Sequence, residues 1–192
     1  TVDVDAFKNL LSDDVAALML TNPNTCGLFE PKVKEIADLL HKAGAYFYCD
    51  GANFNALVGR VRPVDFGVDV MHFNLHKTFS TPHGGGGPGC GPIAVTEELA
   101  PFLPVPKIEK HDDHYHLLTE DKNSIGRLKG FNGQFGMAVR ALAYMMSHGS
   151  DGLRQVAEDA VLNANYILSR LKNDYHVPFT GTCMHECLLT DK

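Results

Sequence analysis

Two short apolar segments, separated by an amphipathic one, dominate the first part of the chain. Residues 15–21 form a continuous apolar run, which predicts a strand buried on both faces. A turn-forming cluster at 22–27 ends the strand, and Pro31 is expected at the first position of a helix. Apolar residues recur in that helix at the spacing of a helix packed on a sheet, and Gly44 ends it. Residues 45–49 predict the next strand, so the pattern indicates a right-handed βαβ unit.

Apolar runs continue along the middle of the chain. Residues 68–73 predict a further strand, and residues 93–95 predict a short one. Residues 101–120 contain three prolines together with His111, His114 and His116. We interpret this segment as an irregular connection whose histidines are solvated.

The last third of the chain is predominantly helical in its pattern. We expect one helix over 131–148, closed by Gly149, and a second over 151–172. The second helix has strict helical spacing of apolar residues, which predicts that they belong to the core rather than to a cofactor site. These residues are Leu153, Val156, Ala157, Ala160, Val161, Ala164, Ile167, Leu168 and Leu171. A final strand is predicted to begin near Cys183.

Composition and charge exclude several classes of protein. The chain has 192 residues, of which 44% are hydrophobic and 21% charged, so it can bury a core and is not a disordered sequence. Its net charge of -6 argues against a nucleic-acid or anionic-membrane surface. No apolar run approaches the roughly 20 residues of a membrane span. The 5 cysteines include no CxxC pair, which favours a reducing compartment over a disulfide framework.

Candidate reactive groups collect at one edge of the predicted sheet. Thr21, Asn22 and Asp50 follow strand ends, and ligands bind outside the carboxyl ends of strands in open α/β sheets. Lys77 follows the next strand and precedes a glycine-rich loop, as expected for a lysine that forms a Schiff base. Pyridoxal phosphate requires such a lysine, and a carboxylate that keeps its pyridine nitrogen protonated. Asp50 alone is equally compatible with an ordinary turn aspartate before Gly51.

Two neighbours of Asp50 strengthen the cofactor interpretation. Ala52 is small enough to lie against a planar ring, and Asn53 has an amide that can hydrogen-bond a ring hydroxyl.

These motifs resemble those of a known enzyme family. The segments are Thr21-Asn-Pro-Asn-Thr-Cys-Gly-Leu-Phe-Glu30, Asp50-Gly-Ala-Asn-Phe-Asn-Ala56, Asn74-Leu-His-Lys-Thr-Phe-Ser80 and Pro82-His-Gly-Gly-Gly-Gly-Pro-Gly-Cys-Gly-Pro92. Together they resemble the P-protein of the glycine cleavage system over nearly all of residues 15–190. The match corresponds to the carboxyl-terminal half of the long form or to the second subunit of the split form. The resemblance implies an α/β fold of the aspartate aminotransferase type (fold type I of the pyridoxal-phosphate enzymes).

The resemblance also implies a role for individual residues. Lys77 would be the Schiff-base lysine and Asp50 the partner of the pyridine nitrogen. Ala52 would press on one face of the ring, and Asn53 would lie near the ring hydroxyl. His76 would meet the cofactor phosphate. Thr21 and Asn22 belong to the strand-end turn that we include in the cofactor site.

The implied activity is that of an oxidoreductase, glycine dehydrogenase (decarboxylating). It would decarboxylate glycine and pass the aminomethyl group to the lipoyl arm of the H-protein. Other expected partners are a second P-protein subunit or half, in a homo- or hetero-oligomer, with no nucleic acid and no membrane. The expected compartment is the bacterial cytoplasm, or the mitochondrial matrix in a eukaryote.

We expect this chain to be a piece of a longer protein. Residues 1–130 would be part of the large cofactor-binding domain, 131–172 a helical connection between domains, and 173–192 the start of a small domain. The resemblance implies that the phosphate-binding turn and the ring-stacking side chain of the cofactor site precede residue 1.

Alternative interpretations remain for several signals. His72, His76 and His83 invite a metal site, but such histidine pairs usually lie on a helix, and we predict none. The glycine run lacks the GKS/T ending of a P-loop, so we expect it near a phosphate or a partner chain. Cys90 has no paired base and is taken as an ordinary thiol. Rival functions are another enzyme of the same fold, such as a cysteine desulfurase or an amino-acid decarboxylase, or a non-catalytic partner subunit.

Overall fold

A four-stranded sheet with helices packed beside it organises the chain. The structure, a computed structural model, describes residues 1–128 and 130–191. Lys129 and Lys192, which fall in the predicted large-domain and small-domain segments, lie outside the described residues. The helices are α1 (Val4–Leu10), α2 (Val33–Lys42), α3 (Leu75–Thr78) and α4 (Phe135–Leu171). The strands are β1 (Ala17–Thr21), β2 (Tyr46–Gly51), β3 (Val70–Phe73), β4 (Ile93–Val95), β5 (Lys107–His111) and β6 (His114–Leu118).

The sheet has the order β1-β2-β3-β4. Strands β1, β2 and β3 are parallel, and β4 runs antiparallel to β3. The predicted β1–α2–β2 unit therefore has the expected parallel pair. The expectation that β1 is buried on both faces is wrong, because β1 is an edge strand whose Met19 is 61% exposed.

Helix α2 covers the centre of the sheet. Its residues Ile36, Ala37 and Leu40 are fully buried, and so is Phe47 on β2. The helix begins at Val33, so Pro31 lies before it rather than at its first position as predicted. Gly44 follows the helix with a left-handed φ of 76°, which is the predicted helix stop.

The predicted irregular connection over 101–120 is partly wrong. Strands β5 and β6 form an antiparallel hairpin there, closed by Asp112 and Asp113. Asp112 has a left-handed φ of 53°, which aspartate tolerates in a tight turn. The three histidines mark the tip and the second strand of this hairpin, and all three are exposed.

The two predicted C-terminal helices are continuous in α4 except at Gly149. Gly149 has φ 63° and ψ -176°, which is outside the helical region, so the predicted break is observed. The first segment begins at Phe135, four residues later than predicted (135 − 131). The prediction that all nine apolar positions of the second helix belong to the core is wrong at Ile167, which is 47% exposed. Ala157 joins the core of the sheet, whereas Ala164 and Leu168 pack with Cys183 in a separate cluster.

The final strand predicted near Cys183 is not formed. Within the described residues, this region makes only an isolated antiparallel bridge between His176 and Thr190. Cys183 is instead held by the Asn165 side chain of α4, which donates to its carbonyl at 2.7 Å and accepts from its N–H at 3.0 Å. Within the part of the chain that the structure describes, no helix has the length and hydropathy needed to cross a bilayer.

Candidate functional site

Three polar residues form one row across the carboxyl ends of the parallel strands. Thr21 of β1 pairs with Asp50 of β2, and Asp50 pairs with His72 of β3. Because the strands are parallel and in register, the three side chains reach the same edge of the sheet.

Asp50 is held in a fixed orientation by contacts to both carboxylate oxygens. Thr21 Oγ1 donates to Oδ2 at 3.1 Å, and the backbone N–H of Ala52 donates to Oδ1 at 2.9 Å. Nε2 of His72 lies 3.1 Å from Oδ1. The carboxylate therefore has little freedom to rotate.

A tyrosine extends this network away from Asp50. The hydroxyl of Tyr48 lies 2.9 Å from Nδ1 of His72. Burial, followed by the charge of Asp50, raises the pKa of Tyr48, so the phenol keeps its proton. A phenol that keeps its proton can donate to Nδ1 of His72, and the Nε2–H of the same ring can donate to Asp50.

The residue before Asp50 is an inert thiol. Cys49 is 1% exposed, and burial together with the charge of Asp50 raises its pKa to about 11. A thiol with that pKa stays protonated at neutral pH and is a poor nucleophile.

Lys77 reaches this edge from the short helix α3, which directly follows β3. Lys77 is exposed among the described residues. Its side chain lines a pocket of about 420 Å³ that Asp50 also lines. A pocket of this size lies within the usual range for small-molecule sites. The residues that line it are Thr21, Thr25, Asp50, Ala52, Asn53, Asn55, Lys77, His185 and Glu186.

Five of the seven sequence-predicted site residues meet in this pocket, and Asn22 and His76 do not line it. Asn53 is buried, and its amide donates to the carbonyl of Pro23 at 2.9 Å. Asn22 is buried and uses Oδ1 to accept from the backbone N–H of Glu30 at 2.9 Å. Asn22 therefore fixes the strand-end turn in this structure.

His76 packs beneath the start of the glycine-rich loop. Its ring centroid lies 4.7 Å from that of His83, nearly perpendicular to it. Burial, and then the nearby His83 and Lys77, lower the pKa of His76. Its Nδ1 is buried without a hydrogen-bond partner among residues 1–128 and 130–191.

The three histidines that suggested a metal site are divided between two surroundings. His72 contacts Asp50, whereas His76 packs on His83. In the described parts of the chain, no group of three or more potential ligands is arranged to hold a metal ion.

The sequence interpretation missed four residues that line the pocket: Thr25, Asn55, His185 and Glu186. Thr25 and Asn55 lie inside the motifs that define the turn after β1 and the segment after Asp50, so their proximity in sequence was an available signal. His185 and Glu186 come from a segment more than 100 residues after Lys77 (185 − 77 = 108). No local pattern links that segment to the sheet edge.

Comparison with known proteins gives a consistent result. The family model described as aminotransferase class-V matches residues 1–124. A protein of Caulobacter vibrioides named "Probable glycine dehydrogenase (decarboxylating) subunit 2" is 62% identical, over 99% of this chain and 37% of its own length. A protein of the same name from Alkaliphilus oremlandii is 54% identical, over 98% of this chain and 39% of its own. The chain thus spans about two fifths of the length of these curated relatives.

Solved structures show the same fold. The crystal structure of glycine decarboxylase (P-protein) of the glycine cleavage system, in inhibitor-bound form, is 25% identical with a TM-score of 0.73. It aligns with 88% of this chain and 41% of its own. A cysteine desulfurase from Thermococcus onnurineus has a TM-score of 0.60 at 19% identity, over 94% of this chain and 44% of its own, which shows the fold alone.

Proposed function

This chain belongs to the aminotransferase class-V family, and we propose that it carries the cofactor-binding centre of a pyridoxal-phosphate-dependent glycine dehydrogenase (decarboxylating). The observation that carries the proposal is the pocket of about 420 Å³ that Asp50 and Lys77 share. An acid and an amine far apart in sequence reach one small cavity, as the cofactor requires. The names of the relatives supply the reaction and the substrate.

The residues present fit the cofactor chemically. The carboxylate of Asp50 suits a protonated ring nitrogen, and the exposed amine of Lys77 is free to form a covalent linkage with an aldehyde. Three buried polar atoms flank Lys77 without hydrogen-bond partners within the described residues: His76 Nδ1, Thr78 Oγ1 and Thr81 Oγ1. None of these three residues lines the pocket that Asp50 and Lys77 share, so the fit to the cofactor rests on Asp50 and Lys77.

The protein chain supplies position and charge. Asp50 would hold the proton of the ring nitrogen, and its contacts with Thr21 and His72 fix the orientation of its carboxylate at the pocket. Ala52 would offer a small side chain to the ring. Asn53 also lines the pocket, and its amide donates to the carbonyl of Pro23. Lys77 would provide the amine that holds the cofactor through its aldehyde. Pyridoxal phosphate, when bound, supplies the electron sink that accepts the electron pair left as carbon dioxide departs.

The partners follow from the proposed reaction. Glycine is the substrate, and the lipoylated H-protein receives the aminomethyl group. The word "subunit" in the relatives' names supports assembly with a second P-protein subunit. The relatives are bacterial and the five cysteines of this chain are free, which supports the bacterial cytoplasm as the compartment.

The exchange of the glycine carboxyl group with isotopically labelled bicarbonate tests this function in the holoenzyme. We expect labelled glycine to form only when the H-protein is present, and we expect Asp50→Asn to slow this exchange by about 100-fold or more, because an amide cannot stabilise the ring-nitrogen proton by charge. Thr25→Ser is the matched control, since it keeps the hydroxyl at the pocket wall. If labelled bicarbonate exchanges with the carboxyl group of cysteine or of an aromatic amino acid, and not with that of glycine, the protein is a different enzyme of this fold.

A further inference from the structure

A histidine and a glutamate that the proposed site does not use share the pocket with Lys77. The His185 side chain is 9% exposed, and its Nε2 lies 3.2 Å from Oε1 of Glu186, an ion-pair distance without the geometry of a hydrogen bond. Its other ring nitrogen, Nδ1, is buried and has no hydrogen-bond partner among the described residues. A buried polar atom without a partner costs stability, and a polar group of a bound ligand can supply the missing partner.

Hydrogen bonds fix the backbone directly before this pair. The N–H of Met184 donates to the carbonyl of Gly27 at 2.7 Å, and Asn165 makes two hydrogen bonds with Cys183. Gly27 has a left-handed φ of 73°, and a side chain there would overlap the carbonyl of Glu186. The segment is therefore closely packed on the turn after β1, and it presents the pair to the pocket in one arrangement.

Burial favours the neutral form of His185. Burial lowers its pKa and the nearby Lys77 lowers it further, while the charge of Glu186 opposes both. The charged groups that share the pocket with the ring are Glu186, Lys77 and Asp50. A neutral imidazole with one nitrogen beside a carboxylate and the other unpartnered is suited to accept a proton.

We propose that His185, assisted by Glu186, is the base that removes a proton from the ammonium group of incoming glycine. The inference rests on the proposed function. An N–H bond of glycine breaks, the electron pair stays on the glycine nitrogen, and the proton bonds to Nδ1 of His185. The glycine nitrogen loses one positive charge and the imidazole ring of His185 gains one. The carboxylate of Glu186 stabilises the charged imidazole. No electrons are transferred, and the neutral amine is then able to displace Lys77.

Two measurements on the holoenzyme test this role. Stopped-flow absorbance after mixing with glycine follows the displacement of Lys77, and deuterium exchange at histidine C2, read by mass spectrometry, gives the pKa of His185. We expect His185→Gln to slow the glycine-dependent spectral change by about 100-fold, with cofactor content unchanged. Glu186→Gln should slow it less and lower the pKa of His185. His114→Gln, at an exposed position of β6, is the matched control and should match the wild type.

Rescue separates a chemical role from a structural one. Imidazole in the buffer should restore part of the rate of His185→Gly and none of the rate of Lys77→Ala. A wild-type rate and pH profile in His185→Gln would overturn the assignment, and so would cofactor loss with an unchanged rate per bound cofactor. If the wild-type protein forms no linkage at Lys77, the proposed function itself fails, which is a different result.

Discussion

Replacing Asn165 with alanine should loosen the segment that brings His185 and Glu186 to the pocket. Asn165 lies on α4 and makes two hydrogen bonds with the backbone of Cys183, at 2.7 Å and 3.0 Å. Both bonds are lost in Asn165→Ala, and Cys183 is 7% exposed, so water replaces them poorly. At about 1–1.5 kcal/mol for each bond, the local cost is about 2–3 kcal/mol.

Hydrogen exchange measures this cost directly. Since about 1.4 kcal/mol corresponds to tenfold, the backbone amide of Cys183 should exchange about 30- to 150-fold faster in Asn165→Ala. Amides in β2 should keep their protection, because the sheet does not depend on this contact. Asn163→Ala is the matched control, since Asn163 is an exposed residue of the same helix. Unchanged protection at Cys183 would refute the role given to Asn165.

Two further predictions concern stability, each measured by urea unfolding. Gly27→Ala should lower the free energy of unfolding by about 2 kcal/mol more than Gly44→Ala does. Both glycines have left-handed φ values, 73° and 76°. A side chain at Gly27 would meet the carbonyl of Glu186, whereas one at Gly44 would meet nothing within 4 Å. An equal loss of stability in the two variants would show that the close approach of Glu186 to Gly27 has no effect. The pKa of Cys49 is raised from 9.0 to about 11 by folding, so its thiol contributes stability below pH 9 that is lost as the pH rises to 11. Between pH 8 and pH 10, the free energy of unfolding should fall by about 1.4 kcal/mol less in Cys49→Ala than in the wild type. An identical fall in both proteins would disprove the raised pKa of Cys49.

The sheet and its reactive edge could be predicted because their signals are local. Apolar runs followed by turn residues identified three of the strands that meet at the pocket edge, and the parallel register then brings Thr21 and Asp50 together. The same register places His72 beside Asp50. That contact could have been inferred from the strands, but the spacing of His72 to His76 directed attention to a metal instead.

The hairpin of β5 and β6 was missed because its side chains are mostly polar and exposed. Alternating apolar and polar residues identify a strand because one of its faces is buried. A hairpin with few buried side chains therefore has only a weak alternating pattern in its sequence. Its turn residues, Asp112 and Asp113, were the only strong indication.

His185 and Glu186 could not be predicted for a different reason. They reach the pocket through tertiary contacts of Cys183 and Met184 with Asn165 and Gly27, which no sequence periodicity records. The apolar residues near Cys183 suggested a strand. In the structure, the backbone N–H of Cys183 donates to the Asn165 side chain instead of to a neighbouring strand.

Reductive labelling shows whether pyridoxal phosphate attaches at Lys77. Pyridoxal phosphate is added to the assembled enzyme, the linkage is reduced with borohydride, and the labelled peptide is identified by mass spectrometry. We expect one label in the wild-type protein, on the peptide that contains Lys77, and no label in Lys77→Ala. Lys42→Ala, on the surface of α2, should be labelled like the wild type. A label on another lysine of this chain, or no label in the wild-type protein, would contradict the claim that the Asp50–Lys77 pocket is the cofactor site.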